Sequence, residues 1–226
     1  MKILVIAAHP DDEVLGCGGT IARHALQGDM VYCLILGEGI TSRYKQRTKA
    51  SGRKLKQLKS EVKRAAQFLG TKKIFLREFP DNRFDTVPLL EIVKVIEEVK
   101  ETLKPEVIYT HHQGDLNIDH QITCKAVLTA CRPLKGETVK TIYSFEIPSS
   151  TEWTAPRSHN YFMPNVFVDI SATLDKKIEA LKAYSCELRE YPHPRSPEVL
   201  RALALRWGSA AGGEAAEAFE LIRAIR

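Results

Sequence analysis

The first thirteen residues constrain the fold most: a continuous apolar run, Lys2 to Ala8, breaks into the polar cluster His9-Pro10-Asp11-Asp12-Glu13. An unbroken apolar stretch of that length suits a strand buried on both faces, as inside a parallel sheet. Gly16 to Gly19 then punctuate the chain, Thr20 to Gln27 reads as a helix body closed by Gly28, and Met30 to Leu36 as a second buried strand. The chain therefore opens with a β-α-β unit, whose crossover is expected to be right-handed.

The alternation continues. Leu58, Val62, Ala65, Ala66 and Leu69 form one stripe of a helix that starts near Leu55 and ends at Gly70. Lys73 to Leu76 is a short strand, Pro80-Asp81-Asn82 a loop, Val87 to Leu103 a helix, Val107 to Tyr109 a strand and Asp119 to Cys131 a helix. Further on, Thr138 to Ile147 and Val166 to Ile170 read as strands, Leu174 to Tyr184 and Pro197 to Trp207 as helices, while Ala218 to Ile225 fits either type. Such a pattern predicts an α/β fold with a mostly parallel sheet flanked by helices. With no linker, repeat or low-complexity stretch, residues 1–226 are read as one domain.

Composition narrows the function classes. A formal charge of +5 permits an anionic partner without requiring one. The five cysteines form no C-x-x-C pair, and Cys124 and Cys131, seven apart on one helical face, read as core residues. A reduced, cytoplasmic chain is expected rather than a disulfide-stapled one. The leading apolar run is too short for a signal peptide or a membrane span, and no later stretch is long enough.

Chemistry concentrates where the first strand ends. In open α/β sheets, ligands bind outside the carboxyl ends of the strands. His9 and Asp12, three residues apart, supply an imidazole and a carboxylate that a turn stiffened by Pro10 can aim at one metal ion. Asp11 between them is free to serve as general base, and Glu13 to cap the next helix or support a ligand. Catalytic zinc usually takes three protein ligands, so a third is needed. It is found in Thr110-His111-His112-Gln113-Gly114-Asp115-Leu116-Asn117-Ile118-Asp119-His120, again after a strand. His9, Asp12 and His120 then make a set of two imidazoles and one carboxylate. Asp119 is read as the partner of an imidazole or a helix cap. His111, His112 and Asp115 are candidates for substrate contact, Asp115 also for orienting a catalytic group.

Together the two motifs resemble the LmbE-like, or PIG-L, de-N-acetylases, whose pattern is A-H-P-D-D-E near the N-terminus and a later segment ending in D-H. The similarity extends over nearly the whole chain, through Gly16-Cys17-Gly18-Gly19-Thr20, Glu61, Leu69-Gly70, Pro80-Asp81 and Ala216-Glu217-Ala218-Phe219. The resemblance implies a Rossmann-like fold, a single zinc ion held by His9, Asp12 and His120, Asp11 as general base, and an N-acetylglucosamine-type amino sugar as substrate. It also allows a homo-oligomer. One departure stands out. Many members carry a histidine three residues before the last ligand, where this chain has Asn117. An amide can donate a hydrogen bond to an oxyanion but cannot supply a proton. His193, in the loop Tyr191-Pro192-His193-Pro194-Arg195-Ser196, is the candidate acid.

Between Arg43 and Arg64 lie ten Lys or Arg residues and a single acid, Glu61. This run is either a solvated helix face or a cradle for substrate phosphates, with Arg43 the first candidate and Arg83 and Arg195 further ones. A nucleotide-binding rival of the same β-α-β plan would need G-x-G-x-x-G where the acidic motif stands, although Glu38 could serve as its ribose-binding acid. A nucleic-acid module is disfavoured because no aromatics interleave with the basic run. A thiol-conjugate amidase and an inactive metal-binding relative are the alternatives within the hydrolase reading.

Overall fold

The computed structural model describes residues 1–155 and 161–226. Its seven strands are β1 (Lys2–Ala7), β2 (Met30–Gly37), β3 (Lys73–Phe79), β4 (Val107–His111), β5 (Thr141–Phe145), β6 (Val166–Asp169) and β7 (Ala216–Ala224). They form one sheet in the order β3-β2-β1-β4-β5-β7-β6. Each pairing from β3 across to β5 is parallel, whereas β7 runs antiparallel to both β5 and β6. The α/β expectation is met with one addition: the ambiguous C-terminal segment is an antiparallel strand inserted between β5 and β6.

Among the described residues, six α-helices cover the sheet: α1 (Asp12–Leu26), α2 (Gly52–Leu69), α3 (Leu89–Leu103), α4 (Ile118–Ala130), α5 (Leu174–Ala183) and α6 (Pro197–Ala210). One apolar layer joins Ile3, Val5 and Ala7 to helices α1, α2 and α5, and the opposite layer joins Leu4 and Ile6 to α3 and α4. Alternate residues of β1 thus face alternate layers, so the strand is buried on both sides and reads as an unbroken apolar run. Cys124 and Cys131 are buried as expected, and all five cysteines are free thiols.

Two boundaries differ from expectation in ways that matter. Helix α1 begins at Asp12, inside the motif, and runs through the glycines predicted to interrupt it, with a kink at Cys17 (φ −148°, ψ 24°). Those glycines serve close packing. A Cβ on Gly16 would lie 2.3 Å from Phe145, and one on Gly19 would lie 2.7 Å from Ile170. At the kink, a buried ion pair stands in for a helical hydrogen bond. Lys177 Nζ donates to Leu15 O (2.9 Å) and to Glu217 Oε1 (2.5 Å), while Glu217 accepts from Gly19 N (2.9 Å) and Thr20 N (2.7 Å). Strand β4 is also longer than predicted and includes His111.

Candidate metal centre and cavity

The strand order reverses direction between β1 and β4, which are adjacent while their connections run to opposite sides of the sheet. Such a switch point leaves a crevice at the carboxyl edge. The loops after β1 and β4 meet there, which is why residues more than a hundred positions apart in sequence come together. The backbone N–H of Ala8 donates to His111 Nε2 at 2.8 Å across this seam. That bond requires a lone pair on Nε2, so the His111 ring is neutral, and burial together with the nearby His120 lowers its pKa well below the usual value.

Asp12 Oδ2 stands 3.3 Å from His9 Nδ1 and 3.3 Å from His120 Nε2. Ligand atoms about 2.0–2.2 Å from a common tetrahedral centre are separated by roughly that distance. Among the described residues, Asp12 Oδ1 and His120 Nε2 are buried without a hydrogen-bond partner. Buried polar atoms left open in this way fit a site built to receive a cation. Among the described residues, these three form one of two groups whose ligand atoms lie close enough to share an ion. The other group is His9, Asp81 and Asp119. In that group His9 Nε2 lies 2.9 Å from Asp119 Oδ2 and 3.4 Å from Asp81 Oδ1. A carboxylate behind the second nitrogen of a candidate ligand imidazole accounts for this group without a further ion site.

His120 is backed in the same manner. Asp115 Oδ1 lies 3.1 Å from His120 Nδ1, and Asp115 is itself held by the hydroxyls of Ser150 and Thr151 (2.6 Å from Thr151) and by Asn117 N (2.8 Å). Burial opposes its charge, but these donors and His120 hold the carboxyl at about 2. Burial also opposes charge on His120 and His9. Their carboxylate neighbours nevertheless raise His120 to about 9 and His9 well above the ordinary range.

Asp11 initiates α1 in a left-handed conformation (φ 99°, ψ −27°), with its carbonyl accepting from Val14 N and Leu15 N. A non-glycine residue so placed costs on the order of 1–3 kcal/mol and persists only where its surroundings enforce it. Glu13 helps to do so: Oε2 accepts from Asp11 N (3.2 Å) and Oε1 from the Tyr184 hydroxyl (2.5 Å). Burial raises the Asp11 carboxyl well above its usual value, while Arg195, donating from Nη1 to Oδ2 at 3.1 Å, pulls it back. Glu13 is pushed up to about 7 by burial.

A polar cavity of about 140 Å3 opens beside these groups, lined among others by His9, Asp11, Asp12, Asn117, Arg43 and Arg195. Asn117 caps α4, its Oδ1 accepting from Asp119 N (2.9 Å) and its Nδ2 donating to Asn82 Oδ1 (2.9 Å). Arg43 reaches the same cavity, but its guanidinium is already paired with Glu187 at 2.7 Å. His111, His112, Asp115 and His193 are not among the lining residues. His112 pairs with Glu220 of β7 at 2.7 Å, and His193 accepts the backbone N–H of Arg195 at 3.1 Å. Of the basic run, Lys59 pairs with Glu78 and Arg47 with Glu38 (both 2.6 Å), so Glu38 does not stand free to bind a ribose.

Sequence reasoning missed Glu187, which takes Arg43 and lies 4.0 Å from Arg195, and gave Asp81 and Asn82 no role in the cavity. Asp81 accepts from Ser42 N (2.9 Å) and Ser42 Oγ (2.6 Å), tying the loops after β2 and β3 together. The Pro-Asp-Asn sequence after a strand marked a loop, and its position at the carboxyl edge was the available signal.

Fold and site together define a Rossmann-like α/β enzyme with a candidate divalent-metal centre at the carboxyl edge of its sheet. Residues 4–131 match the sequence profile of PIG-L, described as GlcNAc-PI de-N-acetylase, and the chain belongs to that family. It is 28% identical over 228 residues to a diacetylchitobiose deacetylase of Thermococcus kodakarensis, covering 99% of this chain and 84% of the relative. An N,N'-diacetylchitobiose deacetylase structure from Pyrococcus horikoshii superposes with a TM-score of 0.77 at 21% identity, covering 98% of this chain and 84% of the other. A 4-carboxy-2-hydroxymuconate hydratase from Pseudomonas putida shares the fold as closely, with a TM-score of 0.76 at 21% identity over 100% of this chain and 97% of that one. The fold therefore hosts more than one reaction, and the chemistry has to be argued from the site.

Among the described residues, no helix is long and apolar enough to cross a membrane.

Proposed function

We propose that this chain hydrolyses the N-acetyl group of an N-acetylglucosamine-type sugar, using a zinc ion held by His9, Asp12 and His120. The observation that carries the reading is the convergence of these three ligand atoms beside a polar cavity into which Asp11 also faces. Two imidazoles and one carboxylate with a position left open are a catalytic zinc donor set. When bound, such an ion polarises an amide carbonyl and brings the pKa of water from about 15.7 towards neutrality.

The remaining chemistry falls to the chain. Asp11 takes the proton of the attacking water, and burial, which raises its carboxyl above the ordinary range, favours a group that accepts a proton and then gives it up. Arg195 holds the carboxylate in place through Oδ2, leaving Oδ1 for the water. The Asn117 amide, already fixed by Asn82 and the helix start, offers its second N–H to the developing oxyanion. Asn117 has no proton to transfer and His193 does not line the cavity, so Asp11 returns its proton to the leaving amine. Arg43 is engaged by Glu187, which weakens its case as a phosphate ligand.

The test combines metal analysis of the purified protein with acetate release from free, nucleotide-linked and disaccharide N-acetyl sugars. Asp11→Asn should retain the metal and lose turnover. Activity surviving that substitution removes Asp11 as base, and absence of acetate from every amino sugar removes the reading.

A further inference from the structure

The geometry points to a second carbohydrate subsite outside the cavity: the indole of Trp153 is a platform for the pyranose ring attached to the acetylated sugar. This rests on the amino-sugar reading above.

Trp153 closes a short 3-10 turn, Thr151–Trp153, that is fastened to the active site from two directions. On one side, Ser150 and Thr151 donate their hydroxyls to Asp115, which backs His120. On the other, Ser149 Oγ accepts from Arg195 Nε at 2.7 Å, and the same guanidinium holds Asp11. Glu152 folds back to accept from Ser149 N (2.6 Å) and Ser150 N (3.1 Å), which stiffens the turn. The turn is therefore rigidly indexed to the reacting groups. Yet its terminal side chain, one of the two tryptophans in the chain, is 55% exposed.

An exposed indole so anchored has a limited range of uses. His193 approaches it at 6.3 Å with the rings 74° apart, a T-shaped contact rather than a parallel stack. A pyranose presents one face of C–H groups and a rim of hydroxyls, and the C–H face rests on an aromatic π surface while the rim stays in water. The lining of the cavity is polar and its volume of about 140 Å3 suits one small polar group such as an acetamide and its immediate surroundings. A second ring would have to lie outside it. The platform makes a disaccharide of N-acetylhexosamines a better substrate than the monosaccharide. It also gives His193 a place beside the indole rather than a role in delivering a proton.

Two measurements test this. In Trp207→Phe protein, Trp153 is the sole tryptophan, and its emission should change saturably on adding N,N'-diacetylchitobiose at concentrations where N-acetylglucosamine has no effect. No change with the disaccharide overturns the platform, whether or not acetate is released. A saturable change without acetate release from any amino sugar would leave the platform standing and remove the hydrolase reading. In the second measurement, Trp153→Ala should lower the disaccharide-to-monosaccharide ratio of kcat/KM about five- to tenfold, with Trp153→Phe recovering most of it. An unchanged ratio, including equal loss on both substrates, overturns the proposal.

Discussion

Asp115 Oδ1 lies 3.1 Å from His120 Nδ1, on the opposite side of the imidazole from Asp12, whose Oδ2 is 3.3 Å from Nε2. The ring is gripped between two carboxylates, Asp12 of the candidate ligand set and Asp115, which fixes the orientation. His9 repeats the arrangement with Asp12 and Asp119. Partners behind ligating histidines typically control metal affinity by roughly 10- to 100-fold. Asp115→Ala is expected to weaken metal binding by about that factor, read by chelator competition, while excess metal restores most of the activity. Unchanged affinity would leave Asp115 only a loop-fastening role.

Asn117 does two things that different substitutions separate. Its Oδ1 caps α4, and the residue lines the cavity. Asn117→Ser keeps a capping oxygen, so the melting temperature should hold, while turnover falls roughly 10- to 1000-fold for want of the amide donor. Equal turnover would rule out the oxyanion contact.

The ion pair at the α1 kink is buried on both sides, with Lys177 and Glu217 each about 5% exposed. Removing one partner leaves the other charge and the freed backbone groups unsatisfied. Lys177→Met should cost about 3–5 kcal/mol in urea unfolding. A loss below about 1 kcal/mol would mean that water substitutes for the ammonium.

Gly16 sits against the Phe145 ring, so Gly16→Ala forces a displacement in a packed layer. The expected cost is about 1–3 kcal/mol, partly recovered by adding Phe145→Leu. Failure of that second change to help would place the strain in the backbone instead.

Glu146 is raised in pKa by burial, partly offset by the hydrogen bond from Trp207 Nε1 (2.6 Å). A carboxyl raised on folding favours the native state while protonated and loses that contribution as pH climbs through its folded pKa. Glu146→Gln keeps an acceptor for the indole without the charge. It should therefore raise the melting temperature at pH 8 relative to wild type, with the difference vanishing near pH 4. A pH-independent difference would point to packing rather than ionisation.

The apolar run of β1 and the amphipathic stripe of α2 were legible because burial on a strand or helix imposes a local period, whereas the cap of α4, expected from Asp119, is Asn117. Ligand candidates His9, Asp12 and His120 were legible because metal chemistry restricts residue type and the carboxyl edge restricts place. The glycines at 16–19 misled because glycine reads as punctuation, whereas here it admits Phe145 and Ile170 against a helix. His111 and His112 read as substrate-contact candidates because nothing local reveals that β4 continues to His111, or that Glu220 waits on a strand inserted from the C-terminus.

The sequence by itself determined most strands and helices, the C-terminal strand β7 and the start of α1 excepted, that the sheet is mainly parallel, and which residue types gather at its carboxyl edge, since each follows from local periodicity and chemistry. Only the tertiary structure decided the partners: that Arg195 holds Asp11, that Glu187 takes Arg43, and that Asp115 and Asp119 stand behind the two histidines. Pairings of that kind span up to 184 residues of chain and depend on strand order and loop direction, which no local pattern encodes.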